Sequence, residues 1–176
     1  MKITKTKKSR LAEIDFNNLA FGRTFSDHML MCKYKEGKWE EAEIVPFQAL
    51  SLTPGTHVFH YGQAVFEGMK AHNSINNETL LFRPEENIKR LNRSAQRLCM
   101  PNLEESIFIE GLKKLLTIDK NWIPKEFGKS LYIRPFMIAS SEFIRATPAD
   151  EFIFFIITSP TSEYYSGEMH LKVEEK

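Results

Sequence analysis

The stretch Lys129–Ser140, KSLYIRPFMIAS, decides the class of fold because it alternates. In an extended chain Leu131 and Ile133 point one way, and Tyr132 and Arg134 the other. One face is built for a core; the other offers two directed polar groups beside it. Downstream, Phe152–Ser159 reads FIFFIITS, a continuous apolar run that suits a central strand buried on both faces.

Working back toward the N-terminus, His28–Phe47 (HMLMCKYKEGKWEEAEIVPF) reads as a hairpin turning at Glu36-Gly37-Lys38. Phe66–Pro84 (FEGMKAHNSINNETLLFRP) repeats the form, with Asn76-Asn77 at the bend and TLLF returning. A helix then starts at Pro84, whose missing N–H costs nothing in the first turn, with Glu85 and Glu86 at the positive end of the dipole. Ile88, Leu91, Ala95 and Leu98 form its apolar stripe, and Pro101 stops it. A second amphipathic helix runs from Glu104 to about Lys120 through Ile107, Leu112, Leu115 and Leu116. Strands outnumber helices and hairpins dominate. The expectation is an α+β fold, a largely antiparallel sheet with two main helices packed against it.

The PTSEYYSGE segment from Pro160 reads as a linker, and MHLKVEEK as the start of a further strand. The expected organisation is a small domain over 1–160, a linker over 161–168, and the opening of a larger domain over 169–176 that continues beyond this sequence.

The 176 residues suffice for one domain with a sizeable core. Lys plus Arg number 24 and Asp plus Glu 23, so bulk charge gives no reason to propose nucleic acid. Cys32 and Cys99 form no paired motif, which argues against a disulfide framework or zinc site. No apolar run reaches the length of a membrane span. The basic leader MKITKTKKSR lacks a following apolar region, so it reads as a solvated tail, with the cytoplasm as the default compartment.

Two arginines stand out. Arg90 lies off the centre of the first helix's apolar stripe. It is either a solvated residue or an anion site, since a guanidinium grips phosphate through paired donors. Arg83, Lys89, Arg93 and Arg97 crowd the same element, so position alone does not single out one. Arg134, beside Tyr132, is either paired with an acid at the surface or recognises a carboxylate. His57 and His60 have a helical metal-ligand spacing but no third ligand nearby. No G-x-S-x-G, G-x-G-x-x-G or P-loop motif is present.

The ordered motifs FGRTFSDHMLM from Phe21, PFQALSLTPGTHVFHYGQAVFEGMKA, LFRPEENIKRLNRSAQRLCMP and SLYIRPF resemble the N-terminal part of branched-chain amino-acid aminotransferases, fold-type IV pyridoxal-phosphate enzymes. The resemblance implies that Phe21, Tyr61 and Phe66 line the substrate side-chain pocket. It implies that Arg134 and Tyr61 meet the side-chain carboxylate of glutamate, that Tyr132 helps hold the α-carboxylate, and that Arg90 binds the cofactor phosphate. Ile144 and Ala146 fall where the family reaches a partner subunit's pocket, which implies a homodimer; Arg145 between them departs from the pattern. Substrates would be leucine, isoleucine, valine, glutamate and their 2-oxo acids. The Schiff-base lysine would lie beyond residue 176, leaving this chain inactive alone. D-amino-acid aminotransferases and aminodeoxychorismate lyases share the fold, but the long leader favours the branched-chain group. A stand-alone module that binds a ligand or partner without catalysis is the alternative of another class.

Overall fold

A computed structural model describes residues 1–162 and 168–174. Its strands are β1 (Lys2–Ile3), β2 (His28–Lys35), β3 (Lys38–Trp39), β4 (Glu43–Pro46), β5 (Ala64–Phe66), β6 (Met69–Asn73), β7 (Thr79–Leu81), β8 (Ser130–Ala139) and β9 (Phe152–Thr161). Its helices are α1 (His57–Tyr61), α2 (Pro84–Arg97) and α3 (Glu105–Ile118). The strands form one sheet in the order β1-β4-β2-β9-β8-β6-β7, with β3 on β2 and β5 on β8. Every pairing is antiparallel except β1 with β4. This is the expected α+β fold.

The apolar run FIFFIITS is central, as read: β9 pairs with β2 on one side and with all ten residues of β8 on the other. The first hairpin turns through Glu36 and Gly37, both at positive φ (52° and 77°), the two-residue geometry that matches strand twist. Lys38 already belongs to the return strand. In the second, Ser74 Oγ accepts the N–H groups of Asn76 and Glu78, and Asn77 takes the left-handed φ of 58°.

α2 and α3 cover one face. Ile88, Leu91 and Ala95 of α2 and Phe108, Leu112 and Leu115 of α3 are fully buried in a core shared with Leu30, Leu131, Ile133 and Phe154. Each large side chain among them contributes about 1.5–3 kcal/mol of burial free energy. Gly111 permits the closeness of this contact, since a Cβ there would come within 2.7 Å of Leu30 Cδ1.

Four expectations need correcting. The leader is no solvated tail: β1 joins the sheet beside β4, Thr6 N–H donates to His28 Nε2 at 2.9 Å, and Asp27 takes hydrogen bonds from Ser9 Oγ and Arg10 N. Main-chain pairing and a buried carboxylate hold it whatever its charge. Leu98 is not part of the α2 stripe; it follows the last helical residue and is 43% exposed, because Cys99 turns the chain with φ 54° before Pro101 is reached. The segment from Pro160 does not begin as a linker, since Pro160 and Thr161 still pair with Leu131 and Ser130 in β9. Of the rest, residues 163–167 lie outside the described residues. No strand starts at Met169: residues 168–174 are exposed and have no ladder to join among the described residues.

Candidate functional site

The open face of β8 and β9 presents side chains in register: Tyr132 opposite Ser159, Arg134 opposite Ile157, Phe136 opposite Phe155. Tyr132 and Arg134 share that face because alternation puts Leu131 and Ile133 on the other. Arg134 donates from Nη2 and Nε to Tyr132 Oη at 2.8 and 3.2 Å, and its Cζ lies 4.5 Å from the centre of the Phe66 ring. Phe21 meets Tyr132 edge-on at 5.0 Å. Four residues from three stretches of chain thus converge: a cation held by a phenol and flanked by aromatic rings. Because Tyr132 Oη accepts from Arg134, its own proton is left to donate outward. The cluster borders a cavity of about 180 Å³ lined by Phe21, Phe25, Tyr132, Arg134, Ile157 and Ser159, among others.

Beside it, Gly68 separates β5 from β6, and a Cβ there would fall 2.6 Å from Tyr132 Oη. The residue before it, Glu67, turns the other way. Only 5% exposed, its carboxylate takes Arg90 Nε at 2.6 Å and Arg90 Nη2 at 2.7 Å, with Asn87 Nδ2 at 2.9 Å. Burial pushes the Glu67 carboxyl up, but the hydrogen bonds from Arg90 and Asn87 and the guanidinium charge outweigh it and hold it below the ordinary glutamate range. The same pairing raises Arg90. With Nε and Nη2 of the guanidinium taken by Glu67, Arg90 lines a surface cleft of about 390 Å³ together with Gly68, Lys70, His72, Arg83 and Asn87. Such a fork, backed by further cations, fits a phosphate or another oxyanion. Contact with Glu67 separates Arg90 from its basic neighbours on α2.

Comparison with known proteins follows the same lines. Branched-chain-amino-acid aminotransferase 2 of Bacillus subtilis is 48% identical over 166 residues, which cover 94% of this chain and 45% of that protein. Branched-chain-amino-acid transaminase 1 of the same organism is 46% identical over 90% of this chain and 44% of its own length. The chain is a relative of the branched-chain aminotransferases. It spans about half the length of the aminotransferases it matches. No family model matches. Among solved structures, the Escherichia coli branched-chain aminotransferase aligns with a TM-score of 0.55 at 20% identity over 77% of this chain and 41% of its own. A second branched-chain aminotransferase, from T.th. and solved with N-(5'-phosphopyridoxyl)-L-glutamate, aligns with a TM-score of 0.52 at 24% identity over 76% and 40%. At these identities the superpositions establish the aminotransferase fold alone.

The residues expected from the aminotransferase resemblance divide into three groups. Phe21, Phe66, Tyr132 and Arg134 come together. Arg90 stands in the adjoining cleft with Glu67. Tyr61, which ends α1, does not have its hydroxyl on Arg134; it donates to the carbonyl of Ile144 at 2.7 Å. Gly62, at φ 62°, ends α1 and turns the chain into β5. The loop carrying Ile144 and Ala146 is exposed, and is anchored at its base by Ser141, whose carbonyl accepts His57 N–H and whose Oγ accepts Asp150 and Glu151 N–H. Among the described residues no cluster could hold a metal.

Glu67 escaped the sequence reading. Its signal was there: in a strand it shares the inward face of Val65, and an acid on a buried face requires a cation.

Proposed function

We propose that the chain is the small-domain part of a pyridoxal-phosphate-dependent branched-chain aminotransferase, which moves the amino group of leucine, isoleucine or valine to 2-oxoglutarate. The observation that carries this reading is the Arg134–Tyr132 pair set among aromatic rings. One pocket must accept an aliphatic side chain in one half-reaction and glutamate in the other. Phe21 and Phe66 offer apolar walls for the first; Arg134 and the outward proton of Tyr132 offer a charge-assisted seat for the second, without which burying a carboxylate is prohibitively costly. The aminotransferase resemblance gives Tyr132 to the α-carboxylate, whereas its hydrogen bonds from Arg134 favour a seat that the two share for the side-chain carboxylate.

The phosphate end of the cofactor fits the free end of Arg90, which Glu67 orients. Pyridoxal phosphate, when bound, supplies the electrophilic carbonyl and electron sink that transamination requires. This chain's residues bind and orient: Arg90 fixes the phosphate, Arg134 and Tyr132 fix the carboxylate, and the phenyl rings exclude water from the side chain. A small domain that includes Thr161 at the end of β9, a connection beyond it to a larger domain, a homodimer reached through the Ile144–Ala146 loop and a cytoplasmic location complete the reading. Among the described residues no helix is long and apolar enough to cross a membrane.

The test is to express the protein from its whole reading frame and assay amino transfer from leucine to 2-oxoglutarate in the presence of pyridoxal phosphate. Transfer from L-leucine, L-isoleucine and L-valine is expected, and none from the 176-residue chain alone. Preference for D-amino acids, or no transamination of any branched-chain substrate, overturns the reading.

A further inference from the structure

Ser159 is 3% exposed, and its hydroxyl has no hydrogen-bond partner among the described residues. Its neighbour Thr158 shows the contrast: on the opposite face, that hydroxyl meets Ser26 Oγ at 2.5 Å. A buried hydroxyl without a partner is destabilising, and such groups in folded proteins mark a missing ligand or water. Ser159 faces Tyr132 across β8 and β9, so its side chain leaves the sheet on the Arg134 side. It lines the same cavity of about 180 Å³, far more than the roughly 10–15 Å³ that one water needs, so a group of several heavy atoms fits.

Given the aminotransferase reading, on which this step rests, we infer that Ser159 is a specificity-determining residue: its hydroxyl donates to the carboxylate that Arg134 and Tyr132 bind. Three donors of different kinds then converge on one group. Arg134 supplies charge, Tyr132 a proton polarised by the guanidinium, and Ser159 a buried donor from the residues that line the cavity. An aliphatic side chain in the same place leaves the hydroxyl as it stands in the structure, unpartnered. The serine therefore favours the dicarboxylate over the branched-chain ligand without touching the aromatic walls.

The experiment uses the protein expressed from its whole reading frame and two probes, glutarate and 4-methylpentanoate, an apolar monocarboxylate of similar reach. Binding is measured by calorimetry and by the rise in melting temperature each probe produces. Ser159→Ala should weaken glutarate about tenfold, leave 4-methylpentanoate within about twofold, and melt no lower than wild type without ligand, since it removes an unsatisfied group. Ser159→Thr keeps the hydroxyl and should restore glutarate binding. A Ser159→Ala protein that binds glutarate like wild type, while Arg134→Met loses it, overturns the inference and leaves the carboxylate site standing. Unchanged glutarate binding in both variants overturns the aminotransferase pocket as well. A fall in the ligand-free melting temperature of Ser159→Ala means that the hydroxyl has a structural partner, and also overturns the inference.

Discussion

Along β8, Leu131, Ile133, Met137 and Ala139 are wholly buried beneath the helices, whereas Tyr132, Arg134, Phe136 and Ile138 on the other face keep partial access to solvent. The covered face is apolar throughout and gains its stability from packing. On the open face polar groups are only half used: Tyr132 retains a proton, Arg134 retains N–H groups, and Ser159 Oγ has no partner among the described residues. One strand therefore carries stability on one side and recognition on the other. Mutations should separate the two.

The largest effect belongs to the covered face. Phe108→Ala, deleting a fully buried ring of α3, should cost about 3–5 kcal/mol, read as a fall in the urea midpoint. Phe66→Ala on the open face, where the ring is 65% exposed, should cost at most about 1 kcal/mol. If Phe66→Ala destabilises as much as Phe108→Ala, the division between the faces fails.

Next come the two half-reactions, measured as single-turnover rates in the protein from the whole reading frame. Arg134→Met keeps apolar bulk and removes charge. It should lower kcat/KM for glutamate about ten- to a hundredfold relative to leucine. Phe66→Ala should harm leucine at least as much as glutamate. Equal losses for both substrates in both variants would assign these side chains to the fold.

Arg90→Ala tests the neighbouring cleft. A charge-assisted contact is worth about 1.5–3 kcal/mol, so the variant should lose pyridoxal phosphate measurably faster on dialysis. Retention like wild type would point to Arg93 or Arg97.

The smallest effect is one of pH. Glu67 sits below the ordinary glutamate range in the folded state, so its ion pair stabilises the protein above that range. The contribution fades as acidity passes from the unfolded value down through the lowered folded one. The stability gap between wild type and Glu67→Gln, taken from urea curves, should be constant near pH ~6 and shrink below about pH 4. A gap that widens on acidification would reverse the assignment.

Much of this division could be read from the chain. The periodicity of α2 and the alternation of β8 are local patterns, and they placed the core and aimed Tyr132 and Arg134 correctly. The meeting of Phe21 with Tyr132, and of Glu67 with Arg90, depends on strand order and on how a helix lies across it, which no local spacing encodes. Leu98 failed for a related reason: its spacing was right, but a left-handed residue at Cys99 ended the helix before it could count. The unpartnered state of Ser159 was invisible, since a hydroxyl ending an apolar run has many ways to be satisfied.

The central place of β9 bears on how the protein comes off the ribosome. Leu30 lies opposite Ile156, so β2 has no neighbour on that side until the last of the described strands has been made. Until then the β2–β4 hairpin and the β5–β8 segment each expose a bare, apolar edge, the kind of surface on which nascent chains cross-associate. Closure must await a distant contact, which makes folding slow relative to helical proteins of this size. A folding helper that shields strand edges should raise the yield of soluble protein far more than one that shields helices.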